Sequence, residues 1–146
     1  MAASSKAPLQ PYELVGERFM RSYYSLIQAK DKRRQMSALY GDESLFTVQH
    51  ESNVKNLVGS SQISGWLAEV LPQIQFRIVK WDAQPLPNNA VLLSVQGQVR
   101  LAQQPSPKLF SQSFTLLKRP TSTIDNPRYY CHNDILQIYQ PVSIDF

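Results

Sequence analysis

At Pro72 the apolar pattern of this chain changes period, and that change restricts the fold more than any other feature. Before it, Leu14, Val15, Phe19, Tyr23, Leu26 and Ile27 recur at steps of three and four. That spacing lays one apolar stripe along a helix from Pro11 to about Ala29. The stripe breaks at Lys30-Asp31. Met36, Leu39 and Tyr40 predict a second, shorter helix stopped by Gly41. Leu45 to Gln49 reads as a short strand and His50 to Asn56 as a polar loop. Ile63, Trp66, Leu67 and Val70 predict a third helix, capped by Ser60 or Ser61 and ended before Pro72.

After Pro72 the period is two. Ile74, Phe76 and Ile78 alternate with Gln75, Arg77 and Val79, and Val91, Leu93, Val95, Gly97, Val99 and Leu101 alternate over a long strand. Pro85 to Asn89 and Gln103 to Lys108 are turns, and Phe110, Phe114 and Leu116 mark the next strand. A loop from Arg119 to Pro127 leads to a last strand, RYYCHNDILQIY, from Arg128 to Tyr139. Helices followed by hairpin-linked strands predict an α+β fold with a curved, mostly antiparallel sheet. Gly97, in mid-strand, is where such a sheet can bend.

A chain of 146 residues fits one domain, expected over 11–140, with a flexible tail at 1–10 and a tail or the start of a linker at 141–146. The latter suggests one domain of a longer protein. Hydrophobic residues at 42% against 18% charged give a globular balance, and the apolar runs are too short to span a membrane. MAASSKAPLQP has no apolar core of a secretory signal. Cys131 is the single cysteine, so no internal disulfide can form and a reducing cytoplasmic or nuclear setting is expected. A net charge of +4 permits weak attraction to acidic partners or RNA and identifies neither.

Few residues suggest chemistry. His132 and Asp134 stand two apart, so a regular strand would turn both to one face, where they could exchange a proton. The plainer reading gives Asn133 and Asp134 strand-end hydrogen bonds and leaves His132 half exposed. His50 has no Cys or carboxylate at ligand spacing, and Cys131 is expected to pack in the sheet. Phosphate loops, nucleophile elbows and zinc spacings do not occur. No catalytic residue, metal or cofactor is expected. The run Lys30, Lys32, Arg33, Arg34 reads as a solvated helix start. Tyr129, Tyr130 and Tyr139 suit either an RNA-binding sheet or a dimer interface.

Five segments in order resemble the nuclear transport factor 2-like family: GERFMRSYYSLI, QMSALYGDESLF, RIVKWDAQPLPNNAVLLSVQGQVRL, KLFSQSFTLL and YYCHNDILQIY. The resemblance spans roughly Leu14 to Tyr139. It implies a cone, with helices packed inside a strongly bent sheet whose outer face is free for a homodimer or a heterodimer with a related domain. LVGERFMRSYYSLI and YYCHNDI are most similar to Rasputin-type Ras-GAP-binding stress-granule domains, whereas KDKRRQMSALY and LPQIQFRIVKWDAQPL are more similar to the small messenger-RNA-export cofactor.

By resemblance to the first group, a groove for Phe-containing peptides lies at Leu14, Val15, Phe19, Leu39 and Tyr129, with one face of the Phe19 ring partly accessible. Leu39 replaces an aromatic residue there and implies a wider pocket. The implied function is non-catalytic protein interaction in ribonucleoprotein or stress-granule assembly, with RNA contacted weakly or indirectly. The alternative is a transport cofactor, cytoplasmic, nuclear or at the nuclear envelope, that binds nucleoporin Phe-Gly repeats or a larger export receptor. A third is a dehydratase or isomerase of the same fold. The family's import carrier holds GDP-bound Ran through a Trp-Glu pair and an acidic cluster. The matching places here read Thr47-Val48-Gln49 and Leu101-Ala102-Gln103-Gln104, with no acid. The export cofactor's last-strand Arg is matched by Gln137.

Overall fold

In the computed structural model, which describes residues 7–140, a first helix α1 (Pro11–Gln28) starts where Pro11 cannot donate a backbone hydrogen bond. The N–H of Gln10 is held by Glu13 Oε1 at 2.8 Å. Its stripe, Phe19, Met20, Tyr23, Tyr24 and Ile27, is buried. Six strands form one curled sheet in the order β2-β1-β6-β5-β4-β3: β1 (Tyr40–His50), β2 (Asn53–Val58), β3 (Ile74–Pro85), β4 (Val91–Leu101), β5 (Lys108–Lys118) and β6 (Tyr129–Tyr139). Neighbours are antiparallel except β1 and β6, which run parallel. The second α-helix, α2 (Ser60–Glu69), follows the β1–β2 hairpin. The helices and the inner sheet face enclose a single core.

Two glycines set the curvature. A Cβ at Gly97 would run into the carbonyl oxygen of Arg77, so β3 and β4 close up here beside the bulge between Ile78 and Lys80. A Cβ at Gly16 would stand 3.2 Å from that of Ala83, so α1 lies directly on β3. Gln28, at the end of α1, fastens the start of β3. Its Oε1 accepts from Phe76 N at 2.6 Å, and its carbonyl accepts from Gln73 Nε2 at 2.9 Å.

Several expectations are corrected. The second helix is a 3₁₀ helix, Lys30–Leu39, and Tyr40 and Gly41 open β1 instead of ending it. The expected loop from His50 to Asn56 contains a turn at Glu51, φ 58°, and then β2. As an edge strand β2 buries only Leu57, so it carries no apolar alternation. The residue before α2 is Gly59, φ 84°, not a serine cap, and Lys108 opens β5 instead of closing a turn.

The basic run is not wholly solvated. Arg33 is 0% exposed. Its guanidinium donates to the carbonyls of Ile27 (2.7 Å), Leu67 (3.0 Å), Leu71 (2.5 Å) and Pro72 (2.8 Å), tying the ends of α1 and α2 together. Val95, Phe114 and Ile138 point inward and are buried in the core, so they leave no open patch for a partner to cover. Of the expected tails, residues 141–146 and the first six of 1–10 lie outside the described residues.

Candidate functional site: a surface groove beside a closed polar interior

Two places have the makings of a site. The first is inside the cone. Asp134, 1% exposed, accepts from Tyr40 OH at 2.7 Å and from Gln112 Nε2 at 2.8 Å. Gln112 Nε2 also donates to Tyr23 OH (2.9 Å), and Gln112 Oε1 accepts from Tyr24 OH (2.8 Å). Burial pushes the Asp134 carboxyl up to about 7 against the pull of these hydrogen bonds, so near neutrality it is partly protonated. Burial, with the Asp134 charge behind it, also drives the Tyr23, Tyr24 and Tyr40 hydroxyls well above their ordinary range. Tyr23, Tyr40, Gln112 and Asp134 are each 2% exposed or less, which leaves a substrate no surface to touch.

The His132–Asp134 pair does not form. Leu116 pairs with Cys131 and Thr115 with Asn133, so His132 is the extra residue of a bulge that reverses the alternation. Asp134 therefore faces inward with Cys131, while His132 lies edge-on to Tyr130 at 6.4 Å. His50 Nε2 sits 2.9 Å from Lys108 Nζ, which also donates to Glu51 Oε1 at 2.7 Å. Among the described residues no three His, Cys, Asp or Glu side chains cluster as metal ligands, and no helix is long and apolar enough to cross a membrane.

The second place is a groove on the outside of α1. A cleft of 690 Å³ lies between the start of α1, the β3–β4 turn and the loop before β6, with Leu14, Val15, Arg18, Leu86, Ile124 and Tyr129 in its wall. A smaller pocket of 180 Å³ is lined by Val15, Arg18, Phe19, Ser22, Leu39, Pro127 and Tyr129. The two share Val15, Arg18, Pro127 and Tyr129, so they form one groove. All five residues named from the resemblance line it.

They contribute unequally. Leu14 is 39% exposed, and Val15, Leu39 and Tyr129 are half-buried. Phe19 is 7% exposed, stacked on Tyr23 (5.8 Å) and edge-on to Phe114 (5.1 Å). It is core with a rim at the pocket floor, not a ring with an open face.

The groove's outer wall is a braced loop. Arg119 N donates to Arg128 O and Arg128 N to Ser122 Oγ, both at 2.8 Å. Arg119 Nη2 reaches Ala38 O at 2.7 Å, and its guanidinium lies 5.0 Å over the Tyr130 ring. Ile124, 95% exposed, stands at the tip beside the cleft. Sequence reasoning missed Arg18, Lys118, Leu86 and Ile124 as groove residues. Only the folded path of two loops brings them to α1, although an isolated Ile between polar turn residues was a visible signal.

The sequence model of the nuclear transport factor 2 (NTF2) domain matches residues 15–138. The chain belongs to the nuclear transport factor 2 domain family. Nuclear transport factor 2 of Saccharomyces cerevisiae is 30% identical over 129 residues, covering 87% of this chain and 94% of that protein. The Candida glabrata protein of the same name matches at the same identity and coverage. Among solved structures, nuclear transport factor 2 from Cryptosporidium parvum superimposes with a TM-score of 0.72 at 28% identity, over 91% of this chain and 99% of that one. Yeast UBP3-associated protein BRE5 also superimposes at 0.72, over 92% and 100% of the two chains. Its 14% identity speaks to the fold alone. The cone with its curled, open, mixed sheet is thus the NTF2-like fold, and the relatives named are transport factors and protein-binding partners.

Proposed function

We propose that this domain is a non-catalytic protein-interaction module that holds short Phe-containing segments of its partners in the α1 groove. The observation supporting this is the convergence of Leu14, Val15, Leu39 and Tyr129 around a continuous apolar channel, with Arg18 at its side. An apolar floor with a few polar anchors suits a short linear motif, since a peptide has little surface and depends on one or two side chains filling pockets. The closed state of the Asp134 cluster favours binding over catalysis. The relatives named nuclear transport factor 2 support nucleocytoplasmic transport as the setting, and the family resemblance adds nucleoporin Phe-Gly repeats as the ligands. The resemblance to Rasputin-type domains supports ribonucleoprotein assembly. Exposed Leu45 and Val58, paired across β1 and β2, together with Ile135 on β6, suit contact with a second copy or a related domain.

Titration of a fluorescent Phe-Gly peptide tests the groove. Leu14→Glu puts a charge into the cleft at an exposed position, so the fold is retained and peptide binding falls by about 2 kcal/mol, as for loss of an interface anchor. A folded Leu14→Glu protein that binds as tightly as the original removes this reading. Phe19→Ala is a poor probe, because emptying a packed aromatic site costs about 3–5 kcal/mol of stability.

A further inference from the structure

The groove beside α1 finds a matching segment within this chain. Two stretches lie outside the described residues: 1–6, MAASSK, and 141–146, PVSIDF. The first has no aromatic residue and carries one cation. The second contains Ile144, Asp145 and Phe146, an acid between two apolar side chains, and no cation.

The groove complements the second. Arg18 lines both of its pockets and Lys118 the larger one. Neither side chain forms an ion pair among the described residues, whereas Arg21, Arg34 and Lys108 all have acidic partners. The one acid in the wall of the larger pocket is Asp125, exposed beside Ile124 on the loop. Because Arg18 borders the smaller pocket as well, a carboxylate next to an aromatic ring seated there meets its guanidinium, whose paired N–H donors suit that group.

The segment cannot enter the groove of its own chain. β6 carries the backbone from Tyr129, in the groove wall, to Tyr139, about 33 Å along the strand. From Gln140 to Phe146 the chain extends by at most about 21 Å.

We infer that residues 141–146 of one copy occupy the α1 groove of a second copy, with the Phe146 ring in the smaller pocket and Asp145 against Arg18. This rests on the groove reading above and adds an occupant to it. Tail and groove are different surfaces, so the contact is head-to-tail and runs on from copy to copy unless it closes into a ring. A Phe-containing partner then has to displace a tail, and the groove is most open to partners when the protein is dilute.

The test uses the full chain and a labelled QPVSIDF peptide, followed by fluorescence anisotropy. The expected result is saturable binding that F146A in the peptide abolishes and L14E in the protein weakens at least tenfold. R18E serves the same comparison if L14E disturbs the fold, and a D145K peptide binds R18E better than the unaltered peptide does. In sedimentation velocity, the wild type assembles with rising concentration beyond the species formed by F146A alone or L14E alone. An equimolar mixture of these two variants regains a larger species, because one supplies the tail and the other the groove. If the Phe-Gly peptide binds and QPVSIDF does not, this inference is overturned and the groove reading stands. If neither peptide binds, both fall. A mixture no larger than its components, or assembly unchanged by F146A, overturns the inference as well.

Discussion

Arg33 and Asp134 are both charged residues sealed in the core, at 0% and 1% exposure, and neither has an oppositely charged side chain against it. The protein accommodates them in opposite ways. Arg33 meets four carbonyls at the ends of α1 and α2, where helix dipoles concentrate negative potential. Burial lowers its pKa, yet a guanidinium keeps its proton. Asp134 is offered only the neutral donors of Tyr40 and Gln112, and it relieves its burial by taking up a proton near pH 7. A buried charge is stable where the main chain can answer it in full; otherwise the charge itself gives way.

Removing the answered charge has the largest effect. Arg33→Met leaves the four carbonyls without donors and costs about 3–5 kcal/mol in chemical denaturation. Arg33→Lys restores only part, because an ammonium cannot reproduce the planar fork. If Arg33→Met is as stable as the original, the guanidinium is not what joins the two helix ends.

Asp134 comes next, with the opposite sign from an ordinary carboxylate. Its folded pKa, about 7, lies above the ordinary carboxyl value of 3.8, so the folded state holds the proton more tightly. The stabilisation is complete below the unfolded pKa, is lost as pH rises from about 4 to 7, and is absent above that. At its fullest it is on the order of 4 kcal/mol. Measured as the difference between the wild type and Asp134→Asn, unfolding free energy shifts in favour of the variant across this window. A difference independent of pH would show that Asp134 does not titrate inside it. The smallest effect belongs to Arg34, next in the chain and paired with Glu69 at the surface. Arg34→Ala changes stability by less than about 1 kcal/mol, and a loss as large as that of Arg33→Met would dissolve the contrast.

Much of the framework was legible. The stripe of α1 and the alternation in β3, β4 and β5 are set by how much apolar surface each face must bury, and periodicity reports that directly. β2 was not legible, because an edge strand with one buried residue has no reason to alternate. Arg33 was readable in principle. In a 3₁₀ helix residues three apart share a face, so Arg33, Met36 and Leu39 line up, but the run of charges around Arg33 concealed it. The bulge at His132 reversed the facing of Asp134, and nothing in the sequence marks a one-residue insertion into a ladder. The groove's helix side followed from residues that resemble a family, whereas its loop side depended on how Arg119 braces the chain between β5 and β6.

The contact between Gln28 and the start of β3 has a consequence for how this protein behaves at high concentration. β3 is an outermost strand, and a bare edge of alternating apolar residues is a template on which another chain can extend a sheet into an aggregate. The Gln28 carboxamide occupies the free N–H of Phe76, and the bulge at Val79 breaks the regular spacing that an added strand would need. The end of one helix thus shields one of the sheet's two edges.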